Sequence, residues 1–137
     1  MPRILGIDYG RKRIGVAVAD DAVRIATPLK MIPGRNDPTR DARNLADLAH
    51  AEQAEAFVVG LPISMDGTDS EQTEFTRKFA AELQRLSQKP VHLHDERLSS
   101  FAADEVLDQA DVTKARRKEL LDQIAAQKIL QSFLDQS

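Results

Sequence analysis

Asp8 closes an apolar run, Ile4-Leu5-Gly6-Ile7, and has Gly6 and Gly10 on either side. Small neighbours let a ligand or another stretch of backbone come close. Asp also caps hairpin turns with its own side chain, and spacing alone leaves both readings open. A second acidic position, Asp95-Glu96-Arg97, ends the short stretch 91–94. Side chains alternate across a strand, so only one of Asp95 and Glu96 can face a site shared with Asp8. The plainer reading is a solvated turn paired with Arg97. Asp122 is the third. Helical steps of four, seven and eleven from it reach Ala126, Ile129 and Phe133, so it heads an apolar stripe. A carboxylate pressed toward a core is costly unless a cation or metal ion compensates it. Alternatively, its place near a helix start leaves it in water.

These acids are far apart in the chain and have no Cys beside them. Hard oxygen ligands from separate elements suit Mg²⁺ or Mn²⁺. Two-metal nucleases and polymerases use such clusters, with ions about 3.5–4 Å apart that stabilise the attacking and leaving oxygens of an in-line displacement.

The elements that must position these residues follow from periodicity. Arg3–Tyr9, residues 13–19 and residues 23–32 read as three strands, the last broken by Pro28. Turn signals at Gly10-Arg11-Lys12 and Asp20-Asp21 make them antiparallel neighbours. The period then changes. Residues 39–53 carry Ala42, Leu45, Ala46, Leu48 and Ala49 at helical spacing. Residues 56–61 form a continuous apolar run, as in a buried parallel strand. Residues 70–87 read as a helix, 91–94 as a strand, and 99–110 and 113–134 as two helices. Strands joined through helices are parallel with right-handed crossovers. The expected fold class is α/β, with a mixed five-stranded sheet (three antiparallel strands, then two parallel) flanked by helices.

Composition narrows the setting. The 137 residues are 42% hydrophobic and 30% charged, which suits one folded domain spanning residues 1–137. No apolar run approaches the ~18 residues that span a membrane. The start of the chain is too soon interrupted by Asp8 to read as a signal peptide, so a cytoplasmic location is expected. There is no cysteine, which removes disulfides, thiolate zinc sites and cysteine nucleophiles. The net charge is −3, so any nucleic-acid contact must come from a local basic patch.

Four segments also carry a resemblance. They are Leu5-Gly6-Ile7-Asp8-Tyr9-Gly10-Arg11-Lys12-Arg13-Ile14-Gly15-Val16-Ala17-Val18; Val58-Val59-Gly60-Leu61-Pro62-Ile63-Ser64-Met65-Asp66-Gly67-Thr68; Asp95-Glu96-Arg97-Leu98-Ser99; and Asp122-Gln123-Ile124-Ala125-Ala126-Gln127-Lys128-Ile129-Leu130-Gln131. In this order they resemble the bacterial YqgF/RuvX family, Holliday junction resolvase-like or pre-16S rRNA nucleases. The resemblance implies a ribonuclease H-like fold. It also implies that Asp8, Glu96 and Asp122 are the catalytic, metal-binding triad, and that the chemistry is cleavage of structured nucleic acid in maturation of the 16S rRNA 5′ end. Val18-Ala19-Asp20 and Asp69-Ser70 depart from the usual pattern without touching the triad.

Basic residues adjoin each acid. Arg11, Lys12 and Arg13 follow Asp8, Arg97 follows Glu96, and Lys114, Arg116, Arg117 and Lys118 precede Asp122. One charge run is usually a solvated face, whereas three runs beside three acids suit a phosphate-gripping rim. Aromatic residues are only 4%, so recognition by backbone and shape is expected over base stacking. The loop 60–68 either caps the next helix or offers that helix's N-terminus to a phosphate. His92 and His94 share a strand face and read as packing residues, and His50 as the end of a helix.

Three function classes fit. The first is a nuclease using Mg²⁺ or Mn²⁺ on precursor rRNA or, alternatively, on branched DNA as a Holliday junction resolvase, working as a monomer or weak homodimer away from membranes. The second is a phosphotransferase, because Gly6-Ile7-Asp8-Tyr9-Gly10 is similar to the first phosphate loop of the actin and sugar-kinase superfamily. That chemistry needs two such domains, and the chain has room for one. The third is a non-catalytic nucleic-acid-binding or assembly protein on the same scaffold.

Overall fold

The computed structural model describes residues 2–98 and 113–136. The expected helix over residues 99–110 lies outside them. Five strands, β1 (Arg3–Tyr9), β2 (Arg13–Asp20), β3 (Thr27–Pro33), β4 (Ala54–Leu61) and β5 (Val91–Asp95), form one sheet in the order β3-β2-β1-β4-β5. β1–β2 and β2–β3 are antiparallel, and β1–β4 and β4–β5 are parallel. This is the expected mixed sheet. Helices α1 (Pro38–Ala51) and α2 (Glu71–Ser87) cover one face, and α3 (Lys114–Gln136) covers the other.

The side-chain period of two sorts the strands onto these faces. Leu5, Ile7, Tyr9, Ile14, Val16, Val18, Phe57 and Val59 join Leu45, Phe79 and Leu83 in the larger core. The alternate positions Ala17, Ala19 and Val58 face Ala126, Ile129, Leu130 and Leu134 of α3. The second face is lined with small residues, so α3 lies close to the sheet. A Cβ on Gly6 would meet Leu130 Cβ at 2.6 Å and the Ala126 carbonyl at 3.0 Å.

Local chemistry sets the helix starts. Asp37 caps α1 by accepting from the backbone N–H groups of Thr39 and Arg40, with Pro38 beginning the helix. Ser70 caps α2 in a reciprocal capping box with Thr73, and Thr73 Oγ1 also donates to the Pro62 carbonyl. The cap expected after the loop 60–68 falls on Ser70.

One expectation is corrected. The third strand begins at Thr27, not at Val23. Asp20 Oδ1 accepts from the Ala22 N–H at 2.8 Å, and Arg24 sits at φ 61°. This side-chain-built turn leaves Val23 and Ile25 exposed. Pro28 is tolerated because β3 is an edge strand and the register slips beside it, between Val16 and Ala17.

Tyr9 carries a buried polar link under α1 and α2. Its hydroxyl donates to Asp41 Oδ2 at 2.6 Å, and the Arg35 N–H donates to Asp41 Oδ1 at 2.8 Å. Asp41 is fully buried, and the Tyr9 ring stacks on Phe79 at 3.9 Å. Tyr9→Phe keeps the stack but leaves one carboxylate oxygen short of a donor. It should cost about 2 kcal/mol, read as a lower midpoint in urea unfolding. An unchanged midpoint would contradict this account of Asp41.

Candidate active site

Asp8 lies near the C-terminal end of the central strand β1, on the α3 face. Across the antiparallel ladder its partner is Gly15. On the parallel side Ile7 pairs with Val59, which puts Gly60 level with Asp8. Both cross-strand neighbours therefore lack side chains, and other elements fill the space. A Cβ on Gly15 would come within 1.9 Å of the Asp122 carbonyl oxygen, so the α3 backbone rests on β2 there. A Cβ on Gly60 would meet Glu96 Oε1 at 2.7 Å and Ile129 Cδ1 at 2.5 Å. Gly15 and Gly60 thus admit the other two acids, and Gly6 admits the following turns of α3 at Ala126 and Leu130. A Cβ on Gly10 would meet only the hairpin, at the Arg13 carbonyl.

Glu96 opens a single 3₁₀ turn directly after β5. The sequence offered Asp95 or Glu96, and the structure separates them. Asp95 turns to Arg97, whose Nε and Nη2 donate to its carboxylate at 3.0 and 2.7 Å. Glu96 turns inward, and burial followed by the charge of Asp95 raises its pKa. The pKa of Asp8 rises from 3.8 to about 7. Burial is the largest cause, followed by the charges of Glu96 and then Asp122. Asp8 therefore senses both other acids at the C-terminal edge of the parallel strands.

They do not yet converge. Among the described residues, no three His, Cys, Asp or Glu side chains stand close enough to hold a metal ion together. Asp122 Oδ2 accepts instead from Arg13 Nε at 2.7 Å. The compensating cation expected for Asp122 is, in this arrangement, a guanidinium. Even so, the site suits a hard divalent ion. Its donors are carboxylate oxygens alone, and the like charges that raise the Asp8 pKa are what such an ion would relieve.

The basic residues divide between two sides of this edge. Arg13 borders a cleft of about 450 Å³ with Met31, Lys114, Lys118 and Glu119. Arg97 stays beside Glu96, bound to Asp95. Arg11 leans the other way, 4.0 Å above the Phe75 ring of α2 and donating to Asn36 Oδ1 at 3.1 Å. Lys12 is exposed in the hairpin turn. Arg116 and Arg117 lie in the first turn of α3, where Arg116 pairs with Glu119 at 3.3 Å. The histidines take structural places. His94 is buried, with Nε2 2.9 Å from Ser132 Oγ, and both His92 and His94 contact the Phe133 ring. His50 lies in the last turn of α1. No helix among the described residues is long and apolar enough to cross a membrane.

Residues 2–136 match the family described as "RuvX: Holliday junction resolvase". A "Putative pre-16S rRNA nuclease" of Rhodopirellula baltica is 41% identical over 133 residues, covering 97% of this chain and 76% of that protein. A protein of the same description from Methylobacillus flagellatus is 43% identical over 132 residues, covering 96% and 90%. Among solved structures, T. thermophilus RuvC in complex with a Holliday junction substrate superposes with a TM-score of 0.62. At 16% identity over 99% of this chain and 95% of that one, it supports the ribonuclease H-like fold alone. With its sheet order, its acidic edge and this match over almost its whole length, the chain belongs to the RuvX family of nucleases.

Proposed function

We propose that Asp8, Glu96 and Asp122 hold one or two Mg²⁺ or Mn²⁺ ions and that the chain hydrolyses phosphodiester bonds in precursor rRNA, at the 5′ end of 16S. The observation that carries this reading is the half-buried Asp8 carboxyl on the central strand, its pKa pushed up to about 7 by burial and by the charges of Glu96 and Asp122. When bound, the ions supply Lewis-acid stabilisation of charge on the phosphate oxygens. The chain's own groups do the rest. Asp8, on the rigid centre of the sheet, fixes the position of the site. Gly15 and Gly60 bring Asp122 and Glu96 beside it. Lys114, Lys118, Arg116 and Arg117 of α3 grip backbone phosphates on one side, and Arg97, Arg11 and Lys12 grip them on the other. Such contacts read no base edge, which suits a substrate recognised by its fold.

The test sets a 5′-extended 16S rRNA precursor beside a four-way DNA junction, each with Mg²⁺ or Mn²⁺ and with EDTA. The expected result is metal-dependent cleavage of the rRNA, abolished by chelation. Paired nicks in the junction alone would favour the resolvase alternative, which needs two copies related by symmetry. Binding without cleavage in every arm would leave a non-catalytic nucleic-acid-binding protein. Under the rRNA reading the chain works as a monomer or weak homodimer in the cytoplasm.

A further inference from the structure

Arg13, the first residue of β2, shares its strand face with Gly15, the residue opposite Asp8. Its Nε donates to Asp122 Oδ2 at 2.7 Å, with side-chain exposures of 42% for Arg13 and 20% for Asp122. No three acids close on an ion among the described residues, and Asp122 is the one already engaged by a cation. We propose that Arg13 is an electrostatic latch: it occupies Asp122 while the site is metal-free and transfers to a backbone phosphate of the nucleic acid when a divalent ion takes that carboxylate. The inference rests on the metal-dependent nuclease reading above and adds an order of events to it.

The chemistry requires one partner or the other. A guanidinium and a divalent ion compete for the same carboxylate oxygen, and their like charges repel. Once displaced, Arg13 borders the cleft that Lys114 and Lys118 also line. Two further cations make that cleft a place for an anion, and a planar guanidinium can grip a phosphate by two parallel hydrogen bonds. Glu119, the acid in the same lining, is already paired with Arg116 at 3.3 Å. Metal uptake would thereby arm the phosphate grip, and a metal-free protein would hold its substrate less firmly.

The first measurement is Mn²⁺ binding by calorimetry on the full chain. Arg13→Gln should bind Mn²⁺ up to about fivefold more tightly than the wild type, the upper end of what an exposed ion pair is worth. Lys118→Gln removes one positive charge from the same cleft without breaking the pair, and should tighten binding less than about twofold. The second measurement is the salt dependence of affinity for an rRNA fragment, with Ca²⁺ replacing Mg²⁺ and then with EDTA. Arg13→Gln should lower the salt slope by about 0.7–0.9 when Ca²⁺ is present, one phosphate contact, and leave it unchanged in EDTA. Equal Mn²⁺ affinities for the two variants would overturn the latch, as would a slope reduced equally in both conditions. A wild-type protein that takes up no Mn²⁺ would overturn the metal reading itself.

Discussion

Asp8→Asn should lose cleavage by roughly 10³-fold or more and, in the same protein, gain stability. The loss follows if Asp8 holds the ion, because a metal centre supplies several kcal/mol of transition-state stabilisation at 1.36 kcal/mol per decade of rate. The gain follows from the raised pKa. The Asp8 carboxyl titrates near 7 in the folded chain and near 3.8 when unperturbed. Between these values the native state binds more protons than the unfolded state, so stability falls as pH rises through the window and levels off above about 7. Three units at 1.36 kcal/mol each amount to roughly 4 kcal/mol. This is an upper figure, since part of the residue still reaches solvent. Asn has the same shape and no charge, so the variant avoids the penalty. In EDTA at pH 8 its melting temperature should exceed the wild type's by on the order of 10 °C. Below pH 4 the difference should vanish. Added Mg²⁺ should then stabilise the wild type by mass action and leave Asp8→Asn unmoved. Equal melting temperatures at pH 8 without metal would show that Asp8 is not the strained carboxyl described here.

That a destabilising acid sits at the middle of the sheet also explains what could be read from the chain alone. The strands, α1, α2 and α3 were legible because burial imposes a period on them. Phe57 and Val59 must face one core while Val58 faces the other, and the stripe Ala126, Ile129 and Phe133 must follow Asp122. The charge anomaly of Asp8 was visible for the same reason, as an acid on a buried strand. Strand alternation narrowed Asp95 and Glu96 only to one of two, and the resemblance implied Glu96. What decides between them is the grip of Arg97 on Asp95, a contact that spacing permits but does not require. The start of β3 was misread because the Asp20 turn and the left-handed Arg24 override the β-branched character of Val23 and Ile25. The Arg13–Asp122 pair joins residues 109 positions apart, and no local pattern encodes it. The roles of Gly15 and Gly60 were hidden too, although their signal was present. A glycine in an otherwise β-branched strand marks a close approach, and each stands where register sets it beside Asp8.

Gly15→Ala is the sharpest test of that architecture and should cost at least about 3 kcal/mol of stability. The added Cβ would lie 1.9 Å from the Asp122 carbonyl oxygen and 2.4 Å from its carbon. Neither atom can rotate away, because both belong to the α3 backbone. The helix must lift from β2, and its burial of Ala126, Ile129, Leu130 and Leu134 against the sheet weakens with it. Asp122 rides on the displaced turn, so cleavage should fall with stability. Gly60→Ala provides the contrast. Its Cβ meets the ends of two side chains, Ile129 Cδ1 and Glu96 Oε1, and side-chain ends can rotate aside. That variant should stay folded, with a urea midpoint much closer to wild type, while its Glu96 is pushed off position and cleavage drops. Gly67→Ala adds a Cβ into open space at φ 85° and should show only the backbone strain of roughly 1 kcal/mol. Urea unfolding of the three variants therefore ranks them by what the new methyl group touches: helix backbone, then side-chain ends, then solvent. A wild-type midpoint for Gly15→Ala would mean that α3 does not rest on β2 at Asp122, and the positioning of the third acid would have to be redrawn.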